Sequence, residues 1–203
     1  MKGYIAIVDY GVGNLKSVSN ALTYLGEEAR ITRDPQVLEG ARSVILPGVG
    51  AFPHAADKLF ASGLDRAVLE QGEKKPVLGI CVGMQLLLER GEELRPCPGL
   101  GAVQGRVARI PTSEKLPQIG WNSLTFPRPS PLFRGIPEGA WVYFVHSFSA
   151  QDTPPEQIIA CIDYGCSVVA AVERGNFFGC QFHPEKSGET GLAILGNFAA
   201  LSR

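Results

Sequence analysis

The stretch Val77-Leu-Gly-Ile-Cys-Val-Gly-Met-Gln-Leu-Leu-Leu-Glu89 constrains the fold more than any other part of the chain. Its opening residues are apolar without alternation, so a strand here has both faces covered, as in the middle of a parallel sheet packed between helices. An apolar helical pattern begins only a few residues later, which leaves Cys81 at the bend. Parallel neighbours must be joined by crossovers, so strands and helices should alternate along the preceding sequence.

They do. Tyr4–Asp9 reads as the first strand, and Asn14 stands at the N-cap of a helix whose Leu15, Val18, Leu22 and Leu25 share one face before Gly26 closes it. Strands near Ala29–Thr32 and at Ser43–Leu46 follow, then the special-backbone loop Pro47-Gly-Val-Gly-Ala-Phe-Pro53. Helical segments at Ala55–Ser62 and Leu64–Gln71 lead to Val77–Ile80. Beyond residue 100 the style changes to strand-like runs with short turns: Val103–Ile110, Ile119–Phe126, Trp141–Phe148, Ile158–Cys161, Ser167–Glu173 and Phe177–Phe182. The chain closes on a helix at Gly191–Leu201. The expected fold is α/β: a three-layer, open, mostly parallel sheet with helices on both faces and antiparallel strand additions in the second half. At 203 residues it is expected to form one domain, 1–203, with Pro127–Pro131 as a surface turn.

Composition excludes several function classes. A net charge of -1 with 19% charged residues leaves little global field to attract nucleic acid. Five cysteines without a C-x-x-C pair suggest neither a disulfide framework nor a zinc site, and no metal or cofactor is expected. No apolar run reaches the length of a membrane span or signal segment, so the expectation is a cytoplasmic protein without a membrane anchor. Gly11-Val-Gly13, with Asp34 downstream, hints at a dinucleotide fingerprint, but Lys16 stands where that motif needs glycine.

Gly79-Ile-Cys-Val-Gly83 has the spacing of a nucleophile elbow in the strand-to-helix context such a motif requires. A tight turn there pushes the central side chain out at the carboxyl edge of the sheet and forces small residues two before and two after it. The start of the following helix favours a thiolate, and the Val82 N–H is placed to serve half of an oxyanion hole. A thiolate needs a base, and the chain has three histidines, His54, His146 and His183. His183 and Glu185, two apart around Pro184, are expected to project from an extended segment to the same side, with Glu185 fixing the imidazole tautomer. Each residue also has an ordinary reading: an inert buried thiol, a structural histidine, a solvated carboxylate. His54 suits a helix start and His146 a hydrogen-bonded wall position.

Taken together, Gly79-Ile-Cys-Val-Gly-Met-Gln85 and Gln181-Phe-His-Pro-Glu-Lys-Ser187 resemble the class I (triad) glutamine amidotransferases. Asp9–Leu15, Leu46–Phe52, Gly120-Trp-Asn122 and Tyr143–Ser147 extend the resemblance over the whole chain. Pro47-Gly-Val-Gly50, Met84 and Lys186 bring it closest to the glutaminase subunits of imidazole glycerol phosphate synthases of histidine biosynthesis. The resemblance implies that Cys81 attacks the side-chain amide of glutamine, that His183 relays protons and that Glu185 orients it. It further implies an oxyanion hole from Val82 and Gly50, and glutamine contacts from Gly50, Gln85, Ser147 and Phe148, where relatives often carry tyrosine in place of Phe148. The implied partner is a cyclase subunit with a (β/α)8 barrel, meeting Asn14, Trp121 and Lys186 in a heterodimer that passes ammonia between the active sites. On their own residues, those three also read as an N-cap, a core aromatic and a solvated lysine. A peptide flip at Pro47–Gly50 is expected to complete the oxyanion hole only when the partner is loaded. Other readings are a glutaminase of vitamin B6, anthranilate or GMP synthesis, a free-standing cysteine hydrolase, or a binding module that has lost its chemistry.

Overall fold

The computed structural model describes residues 3–202. In the first half, β1 (Ile5–Val8), β2 (Ala29–Thr32), β3 (Ser43–Gly48) and β4 (Val77–Cys81) are joined through α1 (Leu15–Tyr24), α2 (Pro35–Gly40), α3 (Phe52–Ser62) and α4 (Leu64–Gly72), and α5 (Val82–Leu87) leaves β4 directly. Next come β5 (Arg90–Gly91), β6 (Cys97–Pro98), β7 (Arg106–Arg109), β8 (Gln118–Ser123) and β9 (Trp141–His146). The chain ends through β10 (Phe148–Gln151), β11 (Ile158–Asp163), β12 (Ser167–Arg174), β13 (Phe177–Cys180) and α6 (Gly188–Ala200).

The main sheet has seven strands in the order β11-β12-β13-β4-β3-β1-β2. Strands β13, β4, β3, β1 and β2 pair in parallel, and β12 runs antiparallel to both its neighbours. Every residue of β1, β3 and β4 is buried, so both faces of the sheet are covered at its centre, as the unbroken apolar runs require. Helix α1 packs against α6, while α3 packs against both α4 and α5. Strand β4 therefore ends in the middle of the molecule, between β3 and β13, at the edge where open α/β sheets bind their ligands.

Only part of the second half extends this sheet. Strands β10, β7, β5 and β6 form a separate four-stranded sheet, and β8 and β9 form a two-stranded ribbon. The expected strand Trp141–Phe148 breaks at Ser147, because its two halves pair with different partners: β9 with β8, and β10 with β7. An apolar pattern reports burial but not the identity of the pairing strand. Val103–Ile110 shortens to β7, and Ile119–Phe126 to β8 with an isolated bridge from Thr125 to Cys161.

Local chemistry accounts for other departures. Helix α2 has six residues, under two turns, and so leaves no periodicity to read. Asp34, the residue at ribose distance in a dinucleotide reading, caps this helix: its carboxylate accepts from the Gln36 N–H at 2.9 Å. Asn14 does occupy the N-cap of α1, but its side chain makes no capping hydrogen bond. Among the described residues, no helix is long and apolar enough to cross a membrane.

Candidate active site

Strand β4 delivers Cys81 to the carboxyl edge of the sheet with φ 54° and ψ -113°, a backbone conformation that a non-glycine residue adopts only when its surroundings enforce it. Such a residue stores about 1–3 kcal/mol of strain. Two close approaches enforce it. A Cβ on Gly79 would stand 2.6 Å from the Met84 backbone nitrogen, and one on Gly83 would stand 1.8 Å from the Leu46 carbonyl oxygen. Both glycines are needed because the first turn of α5 is pressed onto β3 and β4. Helix α5 stops at Leu87, short of the apolar run that continues to Glu89, so the dipole behind Cys81 is that of six residues. The Val82 N–H, first in that helix, has no intrahelical acceptor.

His183 follows β13 and lies 2% exposed beside Cys81. Its Nδ1 lies 2.9 Å from Glu185 Oε1, so that nitrogen donates to the carboxylate and leaves Nε2 for the sulfur. The segment is not extended as expected: Pro184–Lys186 forms a 3₁₀ turn, with His183 held in the β region before the proline. The turn brings Glu185 back under the imidazole. The backbone is pinned from β9, because the His183 N–H donates to the Tyr143 carbonyl at 3.0 Å. The Tyr143 N–H in turn donates to Ser187 Oγ, whose hydroxyl donates to the His183 carbonyl.

Burial, the largest influence on His183, favours its neutral form. Hydrogen bonds to Cys81 and Glu185, with the charges of both, outweigh that and raise its pKa to about 9. A protonated imidazole against a sulfur is an arrangement in which cysteine acts as a thiolate.

A cleft of about 370 Å³ opens over the sulfur. Cys81, Val82 and His183 line it together with Val49 and Gly50. Gln85, Ser147 and Phe148 are also lining residues, with Lys186 among them. Gly50 has φ 86°, and a Cβ there would meet nothing within 4 Å, so the constraint is backbone conformation rather than space. The loop start is fixed by Tyr10, whose buried hydroxyl donates to the Pro47 carbonyl at 2.8 Å.

Two other expected residues lie outside the cleft lining. Asn14 is half-buried at the start of α1, at the same edge of the sheet as Cys81. Trp121 is 51% exposed, not a core aromatic. It shares one face of the β8–β9 ribbon with Ile119, Trp141 and Val145, all exposed, and stands edge-on to Tyr143. Val145 belongs both to this apolar face and to the cleft, so the two are continuous. Of the remaining histidines, His54 lies exposed in the first turn of α3, and His146 is a buried wall residue.

Three residues that the sequence reading passed over also belong to the site. Glu93 lines the cleft and accepts from the Phe52 N–H at 2.8 Å. It lies in a loop without a motif, so nothing in the sequence marked it. Gln118 is buried with its side chain against His146. Gln181 is fully buried and lies between Cys81 and Gln85. Its position two residues before His183, on an extended strand end, was the available signal. Among the described residues, no group of three or more His, Cys, Asp or Glu side chains could hold a metal.

Residues 6–201 match the family described as "Glutamine amidotransferase class-I". Over 198 residues the chain is 50% identical to "Imidazole glycerol phosphate synthase subunit HisH" of Symbiobacterium thermophilum, covering 97% of this chain and 93% of that protein. The subunit of the same name from Bacillus cereus is 50% identical over 195 residues, covering 96% and 93%. Among solved structures, a glutamine amidotransferase superposes with a TM-score of 0.78 at 20% identity, covering 98% of this chain and 99% of that one. PurLQS from Thermotoga maritima also gives 0.78 at 20% identity, covering 98% of both chains. At those identities the structural likeness speaks for the fold alone.

Proposed function

The chain belongs to the class-I glutamine amidotransferase family, and we propose that it is the glutamine-hydrolysing subunit of an imidazole glycerol phosphate synthase, with Cys81 as nucleophile. The observation that carries this reading is the line Cys81, His183, Glu185 at the base of a cleft, with the histidine bonded on one side to sulfur and on the other to a buried carboxylate.

The chemistry follows from that line. The Cys81 thiolate attacks the side-chain carbonyl carbon of glutamine, and the carbonyl electron pair moves to oxygen. The Val82 N–H and a peptide N–H near Gly50 receive the oxyanion, each such donor being worth about 3 kcal/mol of barrier. Protonated His183 gives its proton to the departing nitrogen, the C–N bond breaks, and ammonia leaves a glutamyl thioester. His183, now neutral, takes a proton from water as that water attacks the thioester. Glutamate departs and the thiolate–imidazolium pair is restored. Glu185 holds the tautomer throughout. Gln85, Ser147 and Phe148 position the substrate, and the carboxylate of Glu93 is a counter-charge for its ammonium group.

The partner in this reading is a cyclase subunit with a (β/α)8 barrel, which takes the ammonia before it meets bulk water and makes imidazole glycerol phosphate and aminoimidazole carboxamide ribotide. The exposed apolar face of the ribbon, running into the cleft at Val145, supports a docked partner there. Trp121 and Lys186, with Asn14 at the same sheet edge, are its proposed contacts. Five free thiols suit a reducing cytoplasm.

The test is glutamate release by the chain with and without the cyclase and its ligand. Cys81→Ala should abolish release. The intact chain should turn over slowly alone and much faster in the loaded complex, because the Pro47–Gly50 peptide must turn to complete the oxyanion hole. Activity surviving Cys81→Ala sinks the mechanism, and equal turnover in both states sinks the activation.

A further inference from the structure

Both amide hydrogens of Gln85 are committed. Its Nε2 donates to the Phe148 carbonyl at 3.1 Å and to Gln181 Oε1 at 3.0 Å. Gln181 is fully buried beneath the cleft, its backbone N–H donating to the Ala170 carbonyl of β12, and its Nε2 lies 3.7 Å from Cys81 Sγ. A primary amide has a donor end and an acceptor end, so the orientation of each in this chain fixes the next.

The sulfur starts the chain. A thiolate accepts and cannot donate, so Gln181 must turn its NH2 to Cys81. The opposite orientation would set carbonyl lone pairs against an anion. The acceptor end of Gln181 then faces Gln85, which has to answer with an N–H. The second N–H of Gln85 faces a backbone carbonyl, which also only accepts. What remains for the cleft is the Gln85 carbonyl oxygen. We propose that Gln181 is a positioning residue that makes Gln85 present an acceptor to the substrate, so that the charged sulfur itself selects a substrate bearing N–H groups at that point. This rests on the glutaminase reading. It adds that the nucleophile and the substrate contact are joined by one buried amide rather than tuned separately.

The two ends of Gln181 can be separated. Gln181→Glu keeps an acceptor for Gln85 but loses the donor to sulfur and sets a carboxylate against it. Gln181→Met keeps the shape and loses both. The titratable groups around the sulfur are His183 with Glu185 behind it, Tyr10 just past β1, Cys180 of β13, and Glu93, His146 and Lys186 across the cleft, and none of them is altered. Two readouts suffice: KM for glutamine in the complex loaded with cyclase ligand, and the pH midpoint for alkylation of Cys81 by iodoacetamide, which needs no glutamine site.

In Gln181→Met, KM should rise about tenfold, the worth of one orienting hydrogen bond, and the alkylation midpoint should move up. In Gln181→Glu, KM should stay within about twofold while the midpoint moves up further. A merely structural role would move both variants alike. The proposal is overturned by an unmoved midpoint in either folded variant, by an unmoved KM in Met, or by an equal rise of KM in Glu. Thermal unfolding identifies the folded variants, and should Gln181→Glu not fold, an unmoved KM or midpoint in Gln181→Met still overturns the proposal. A native complex that hydrolyses no glutamine would instead refute the glutaminase reading, while the alkylation midpoints would still report on the bond to sulfur.

Discussion

Two buried histidines line one cleft and are pushed in opposite directions. His183 is raised to about 9, and His146 is lowered to about 4. Burial disfavours the charged form of both, so burial cannot explain the difference. The partners do. His183 faces a sulfur and a carboxylate, both able to carry negative charge. His146 Nδ1 donates to the Phe148 carbonyl at 2.9 Å, a neutral dipole, and its Nε2 faces the neutral side chain of Gln118 at 3.0 Å. The positive charge of His183 depresses His146 further. The same residue type therefore serves as the proton carrier on one wall and as an uncharged strut on the other.

The largest effect should come from deleting the charged member. His183→Ala is expected to lower kcat for glutamine hydrolysis by about 10⁴-fold, the upper range for losing an acid–base group. His146→Gln, which keeps polar groups at the wall, should cost far less; equal losses in steady-state assays would break the comparison. Next in size is Glu185→Gln, expected to lower kcat roughly 10²-fold to 10³-fold, since an orienting carboxylate contributes less than the base it orients. It also removes an anion that raises the His183 pKa, so the alkaline limb of the pH–rate profile, near 9 in the native chain, should move to lower pH. A limb that stays in place would mean that Cys81 alone holds the proton on His183.

How much of this contrast the sequence disclosed depends on how local each constraint is. Cys81 could be read because Gly79 and Gly83 stand beside it, and the close approaches that require them leave a fixed spacing. His183 and Glu185 could be paired because they are two residues apart, although the 3₁₀ turn that joins them leaves no mark in the pattern. The wall position of His146 was legible, but its partner Gln118 comes from β8, twenty-eight residues away, and the long connection 124–140 marks turns without fixing how the two strands align. For the same reason the separate β8–β9 ribbon and the four-stranded sheet were missed, whereas the central parallel strands, apolar on both faces, could be read directly. Glu93 reaches the site through tertiary packing with no motif of its own, whereas Gln181 opens the segment that carries His183 and only its contacts to Cys81 and Gln85 were hidden.

Stability against pH should show the same opposition at a smaller scale. His146 has an ordinary pKa of 6.5 when unfolded and about 4 when folded, so between those values the unfolded chain binds the extra proton. Stability from this group should fall as pH drops from 6.5 to about 4, by up to about 3 kcal/mol. His183 has the reverse sign. Its folded pKa is raised, so its contribution is full below 6.5 and is lost as pH rises through about 9. Urea unfolding between pH 4 and 9 should therefore show an acid slope that disappears in His146→Gln and an alkaline slope that disappears in His183→Gln. An acid slope unchanged by His146→Gln would assign it to other groups.

The smallest effect tests the cause directly. With Nδ1 donating to a carbonyl, the neutral His146 ring has only a lone pair at Nε2, so the Gln118 amide, whose Oε1 is placed 3.0 Å from that nitrogen, has to turn about and present its NH2 there. Gln118→Glu removes that option: a carboxylate can face Nε2 only if a proton lies between them. The substitution should raise the His146 pKa well above 4, visible in the ring-proton shifts of a pH titration. It makes the pocket wall resemble the His183 wall without adding a nucleophile. Because the new carboxylate and the proton it shares with His146 carry no net charge together, the alkaline limb of glutaminase activity should stay within a fraction of a pH unit of its place, with kcat at neutral pH changed only a few-fold. If His146 stays neutral opposite a carboxylate, burial rather than partner chemistry sets its state, and the difference between the two histidines needs another cause.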